Sequence, residues 1–129
     1  MAKIECFEEI DVWKKSRILC DITYSIIFST NLEKDFALRD QINKSSGSIM
    51  DNIAEGFERG GNKEFIQFLS IAKASNAEFR SQLYRVFDRK YINEEKFQEI
   101  LNESKDIGKM LGGLISYLKK SDYKGSKYK

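Results

Sequence analysis

The chain has 129 residues, 41% hydrophobic and 33% charged, with a net charge of +2, two Cys, no Pro and no His. That length implies one domain, able to bury roughly two-thirds of its unfolded surface, so no metal or disulfide is needed to hold a core. The lack of Pro disfavours a many-turned β architecture and suits long helices, and the lack of His removes the commonest general base, metal ligand and near-neutral pH switch.

Four segments carry apolar residues at three-and-four spacing, separated by short polar breaks, which predicts an all-α, antiparallel, up-down-up-down four-helix bundle filling residues 1–129 as a single domain. The first helix is expected over about 11–29, with Asp11 as N-cap. It buries a stripe of Val12, Ser16, Leu19, Cys20, Thr23, Ile26 and Ile27. Trp13, Tyr24 and Phe28 fall off this stripe. Either an N-terminal arm carrying Phe7 and Ile10 folds over them, or they form a subunit interface, since apolar surface of that size rarely stays wet. A turn spans Asn31 to Asp35. The longest uncharged stretch, Ile22 to Leu32, is far short of the roughly 20 residues needed to cross a bilayer. With no signal-peptide pattern before it, the reading is a cytoplasmic protein without a membrane partner.

The second helix is expected over about 36–59, with Leu38, Ile42, Ser46, Ile49, Ile53 and Phe57 inward and Gly60 and Gly61 ending it. Gln41, Ser48, Asn52 and Arg59 form a polar stripe beside this core. It is open to two readings, a solvated flank or a face that hydrogen-bonds a neighbouring helix or subunit. The cluster Ser45, Ser46, Gly47 and Ser48, weak in helix propensity, favours close helix contact. The third helix, about 63–90, is capped by Asn62 and buries Phe65, Leu69, Ala72, Phe79, Leu83 and Val86. Lys73 and Arg80 lie on its boundary face with Ile66, Ala77 and Tyr84. Cations beside an aromatic suit nucleic acid, although such residues also snorkel over a core edge or pair with acids.

The fourth helix, about 94–119, starts after an Asn93 cap with Glu94 and Glu95 favourably placed in its first turn. It buries Phe97, Ile100, Leu101, Ser104, Ile107, Leu111, Leu114, Ile115 and Leu118. Gly108, Gly112 and Gly113 inside it imply tight packing. Residues 120–129 form a basic tail. From Lys119 onward five Lys face one Asp, so residues 119–129 carry +4 and the preceding 118 residues carry −2. Lys119, Lys120 and Lys124, with Tyr123 and Tyr128 nearby, attract phosphate backbones or simply solubilise the end.

Chemistry is sparse. Cys6 and Cys20 form no CxxC and have no His to complete a zinc site, so both are expected to be reduced and no metal or cofactor is implied. Glu55 and Glu58, with Glu103 and Asp106, suggest a distant alternative, a magnesium-dependent nucleotide hydrolase, because Mg²⁺ prefers such oxygens. These carboxylates point away from their core stripes, and no phosphate-binding loop or nucleophile elbow is present. The chain is read as a non-enzyme.

Several segments together carry a family pattern. They are Phe7 to Trp13, Gln41-Ile42-x-Lys44-Ser45-Ser46-x-Ser48-Ile49, Asn52-Ile53-Ala54-Glu55-Gly56 and Phe65-x-x-Phe68-Leu69-x-Ile71-Ala72-x-x-Ser75-x-x-Glu78. Tyr91-Ile92 and Met110-Leu111-x-x-Leu114-Ile115 complete it. The chain resembles the 23S rRNA intervening-sequence protein family of four-helix-bundle proteins. The resemblance implies homopentameric assembly. A related bundle, the accessory protein of diversity-generating retroelements, binds nucleic acid through a basic surface and partners a reverse transcriptase. On that basis Lys44, Arg59, Lys73, Arg80, Lys119, Lys120 and Lys124 are the expected RNA or DNA contacts, multiplied by symmetry, and Trp13, Tyr24, Phe28, Gln41, Ser48 and Asn52 the expected oligomer interface. The competing expectation is an oligomeric scaffold that binds only protein.

Overall fold

Short connections dictate the topology. In the computed structural model, which describes residues 3–125 and side chains through Ser121, four helices follow one another: α1 (Asp11–Ser29), α2 (Phe36–Glu58), α3 (Asn62–Asp88) and α4 (Glu94–Gly125). A 3₁₀ turn, Phe7–Glu9, precedes α1, and another, Asn31–Lys34, joins α1 to α2. Such links are too short to cross a bundle, so sequential helices run antiparallel. α3 packs on α2 and α4, and α1 packs on the same two, which leaves α2 and α4 on one diagonal. No strand occurs among the described residues.

The core runs the length of the bundle. Leu19, Ile27, Ile42, Ile49, Leu69, Phe79, Leu83, Ile100 and Ile107 are fully buried. All six apolar residues expected inside α3 are buried, whereas Cys20, Phe57, Leu114 and Ile115 reach only half-burial at the edges. Phe57 lies edge-on to Phe65, with ring centroids 5.8 Å apart. Polar side chains in the core satisfy themselves. Ser16 Oγ and Thr23 Oγ1 donate to the carbonyls of Val12 and Leu19, each at 2.7 Å, which removes the penalty of an unpaired buried hydroxyl.

The helix ends correct the sequence reading in detail. Ile10 occupies the N-cap position of α1, and Asp11 is its first residue, where its charge still faces the unpaired amides. Gly61 likewise takes the cap of α3 and Asn62 begins the helix without a side-chain cap bond. Asn93 does cap α4, its Oδ1 accepting from the Lys96 amide at 2.8 Å. α4 continues to Gly125 instead of ending at 119, since no helix breaker intervenes in Lys119–Lys124. Gly60 adopts φ +84°, the left-handed conformation expected just past a helix end.

Two contacts fix the seams. A Cβ on Gly56 would stand 2.5 Å from that of Phe68, so α2 and α3 approach closely there. At the opposite end, Asp35 Oδ2 accepts from Arg89 Nη1 at 2.6 Å and from Tyr91 Oη at 2.8 Å, tying the α1–α2 link to the α3–α4 link. The Arg89 and Tyr91 hydrogen bonds hold the Asp35 carboxyl below the usual carboxylate range. Gly112 and Gly113, expected at close contacts, have nothing within 4 Å of an added Cβ, because the α4 backbone there does not approach a neighbouring helix.

Replacing Phe79 with Ala should lower stability by about 3–5 kcal/mol through the cavity it leaves. Chemical denaturation measures this, and an unchanged midpoint would show the inner face of α3 to be misplaced.

Candidate nucleic-acid interface

One groove gathers cations from two helices. Lys73, Asn76, Ala77 and Arg80 on α3, with Lys105, Gly108 and Lys109 on α4, line an open groove of about 440 Å³. Lys73, Ala77 and Arg80 share a face of α3, and Lys105 and Lys109, four residues apart, share a face of α4. Antiparallel packing sets the two rows against each other. Among the described residues, no acidic side chain lines the groove. Among the described residues, none of the four cations lies within 4 Å of a carboxylate.

Beneath the groove lies a buried polar pair. Asn76 Nδ2 donates to the Ser104 carbonyl at 2.9 Å and Ser104 Oγ donates to Asn76 Oδ1 at 2.8 Å. Both residues are essentially inaccessible. Gly108 makes room, since a Cβ there would sit 3.3 Å from Asn76 Nδ2. The reciprocal bonds satisfy both side chains and fix which turn of α3 faces which turn of α4. Lys73 and Arg80 were legible from sequence. Sequence reasoning does not reach Lys105 and Lys109: their four-residue spacing puts them on one face of α4, and only the packed bundle shows that this face meets Lys73 and Arg80.

The other basic candidates lie elsewhere. Arg59 is engaged by Glu55 at 3.4 Å and Glu64 at 3.8 Å, with its guanidinium 5.0 Å from the Phe68 ring centroid. Lys44 lines a separate α2–α3 groove with Gln41, Glu78, Gln82 and Arg85. Lys119 and Lys120 are exposed on the last turns of α4. The Lys124 side chain lies outside the described residues, as do Lys127, Tyr128 and Lys129.

The expected interface residues divide similarly. Trp13 is half-buried, with Phe7 edge-on at 5.1 Å and the Arg17 guanidinium 5.9 Å from its ring, so the N-terminal arm covers it. Tyr24 and Phe28 remain 61% and 51% exposed and touch each other at 4.6 Å. Gln41 accepts from Arg85 Nη2 at 3.0 Å, Ser48 Oγ meets Ser75 Oγ at 2.8 Å, and Asn52 Nδ2 donates to the Ser48 carbonyl at 2.8 Å. The polar stripe of α2 thus finds partners within its own chain, on α3 and on α2 itself. Ser45 Oγ, donating to the buried Gln82 at 2.6 Å, extends the α2–α3 series.

The four carboxylates of the hydrolase alternative do not converge. Glu103 and Asp106 face Lys15 across the α1–α4 seam at 2.9 and 3.8 Å, while Glu55 pairs with Arg59 on the diagonally opposed α2. Among the described residues no three potential metal ligands gather. Burial pushes the Cys20 thiol up, away from nucleophilic character, and its Sγ rests 3.5 Å from Met50 Sδ. Both cysteines are free, and Cys6 donates to Glu9.

Comparison with known proteins fits this architecture. The family model for the 23S rRNA-intervening sequence protein matches residues 8–113, and the chain belongs to that family. Among solved structures, a protein of unknown function from the S23 ribosomal protein family of Bacteroides thetaiotaomicron VPI-5482 superposes with a TM-score of 0.74 at 31% identity. The match covers 81% of this chain and 95% of that one. No curated protein matches the chain.

Ser104→Ala should destabilise the bundle by about 1–3 kcal/mol, because it leaves the buried Asn76 Oδ1 without a donor. Thermal or urea denaturation reads the change, and a neutral outcome would remove this pair from its role in fixing the α3–α4 register.

Proposed function

We propose that the protein is a non-catalytic, cytoplasmic homo-oligomer, pentameric as its family resemblance implies, which binds RNA or DNA through the α3–α4 groove. The observation that carries this reading is the set of four cations, Lys73, Arg80, Lys105 and Lys109, without acidic partners among the described residues and concentrated in one groove of a body whose net charge is negative. Local concentration of one sign of charge in a concave surface focuses the field and attracts phosphates without sequence preference. Five copies multiply that field. Lys119 and Lys120 add a second basic segment at the end of α4. No cofactor enters this function.

Fluorescence anisotropy with labelled RNA tests it. Four phosphate contacts per site predict affinity falling about 50-fold between 50 and 200 mM salt, from a slope of about 0.7 per contact on single strands. Lys105→Ala with Lys109→Ala should reduce that slope by about 1 to 2 and weaken binding at low salt, whereas Lys44→Ala should leave both unchanged. Equal affinity of wild type and the α4 double variant would contradict the assignment.

A second reading, an oligomeric scaffold that binds only protein, draws on the exposed aromatics. Phe36, 65% exposed, lies at the α1–α2 end of the bundle that also carries Tyr24 and Phe28. Apolar surface concentrated in this way marks interaction sites. Tyr24→Ala combined with Phe28→Ala should reduce the particle mass measured by light scattering without loss of helical circular dichroism. An unchanged mass would remove these rings from the oligomer interface.

A further inference from the structure

We infer that the α3–α4 groove selects single-stranded nucleic acid over duplex, with the ring of Tyr84 as the platform for an unpaired base; this rests on the phosphate-binding reading of the same groove. Tyr84 follows Arg80 by four residues and therefore stands one turn further along the same face of α3. It is 47% exposed, so about half of the side chain is open to a ligand. It is also held in place. Phe97 of α4 meets it in a T-shaped contact at 5.0 Å, and Phe97 is in turn stacked on Phe87 at 4.5 Å. Phe97 is itself buried, so the ring of Tyr84 packs on an aromatic layer while part of its surface faces solvent.

Groove and ring together have the parts that single-strand sites combine, a cationic track for the backbone and an adjoining aromatic on which a base stacks. Lys73 and Arg80 are seven residues apart, about 10 Å along the helix axis, and Tyr84 stands about 6 Å beyond Arg80, just past the residues that line the groove. Geometry separates the two forms of nucleic acid. The cations stand on both rims of an open groove between two packed helices, whose axes lie about 8–10 Å apart, so the two rows are close together. A flexible strand can bend to follow both rows and reach the adjoining ring, whereas the stiff backbone of a duplex meets them only where its own curvature allows. The bases of a duplex are already stacked and paired, leaving none for Tyr84. Charge density alone works in the opposite direction, because a duplex carries a phosphate per about 1.7 Å of axis and each strand only one per 3.4 Å. A preference for the single strand therefore reports stacking and shape.

The test uses the full chain and two probes, a fluorescein-labelled 15-nucleotide mixed-sequence DNA strand and the same strand annealed to its complement, compared by anisotropy at about 50 mM salt. Wild type should bind the single strand about fivefold or more tightly than the duplex, within the range of one stacked base. Tyr84→Ala should weaken single-strand binding by about fivefold or more and alter duplex binding by less than about twofold. Tyr84→Phe, which keeps the ring, should retain the preference. Tyr84→Leu preserves apolar packing on Phe97 and should behave like Tyr84→Ala if stacking is responsible. Duplex binding as tight as single-strand binding by wild type overturns the proposal without recourse to any variant. If Lys105→Ala with Lys109→Ala weakens binding while Tyr84→Ala and Tyr84→Leu do not, the groove stands as a phosphate site and single-strand selection is wrong. Failure of wild type to bind either probe overturns both.

Discussion

A buried amide and a buried hydroxyl, Asn76 and Ser104, hold α3 against α4 by two reciprocal hydrogen bonds. Apolar packing alone tolerates sliding of one helix past another, since one Leu fits a hole nearly as well as the next. A directional pair in a low-dielectric core does not, because slipping by one turn would strand both polar groups. The surface above inherits this register. Lys73 and Arg80 stand on either side of Asn76 in sequence, as Lys105 and Lys109 stand beyond Ser104, so the pair that orders the interior also positions the four cations. Gly108 belongs to the same arrangement, giving the Asn76 amide space that any side chain would constrict.

The α2–α3 seam follows the same logic with different residues. Ser45 with Gln82 and Ser48 with Ser75 place hydrogen bonds along it, and Gly56 permits a close approach beside Phe68. No buried side-chain nitrogen or oxygen among the described residues lacks a partner. The seam between α1 and α4 relies more on charge, with Lys15 bridging to Glu103 and Asp106 at partly exposed positions. Ion pairs of that kind contribute little on their own. α1 is thus held chiefly by its apolar stripe and its contacts with α2.

Most of the architecture is legible in the residues themselves. Apolar spacing finds all four helices, and the limits 11–29 for α1 agree with the structure, where the flanking Ile10 and Thr30 hold extended backbone. Caps are harder. Asp11 and Asn62 are good capping residues by type, yet the preceding Ile10 and Gly61 already hold extended backbone and take the cap positions. Buried Asn76 and Gln82 are invisible to an apolar pattern, since polarity marks them as surface while only the partner helix shows that Ser104 and Ser45 satisfy them. For the same reason the sequence shows Lys73 and Arg80 on a boundary face and cannot assign Lys105 and Lys109 to the facing wall. Lys44 and Arg59 have the same charge but sit with Glu78 and between Glu55 and Glu64, which a charge count along the chain does not reveal.

Nucleic acid is proposed to lie in the α3–α4 groove. Photocrosslinking of the full chain to a single-stranded RNA carrying 4-thiouridine, followed by mapping of the modified peptides, tests it most directly. Adducts are expected in the segments spanning Lys73 to Tyr84 and Lys105 to Lys109, suppressed by competing unlabelled strand. Adducts confined to residues 119–129, or to the Tyr24 and Phe28 end of the bundle, would contradict it.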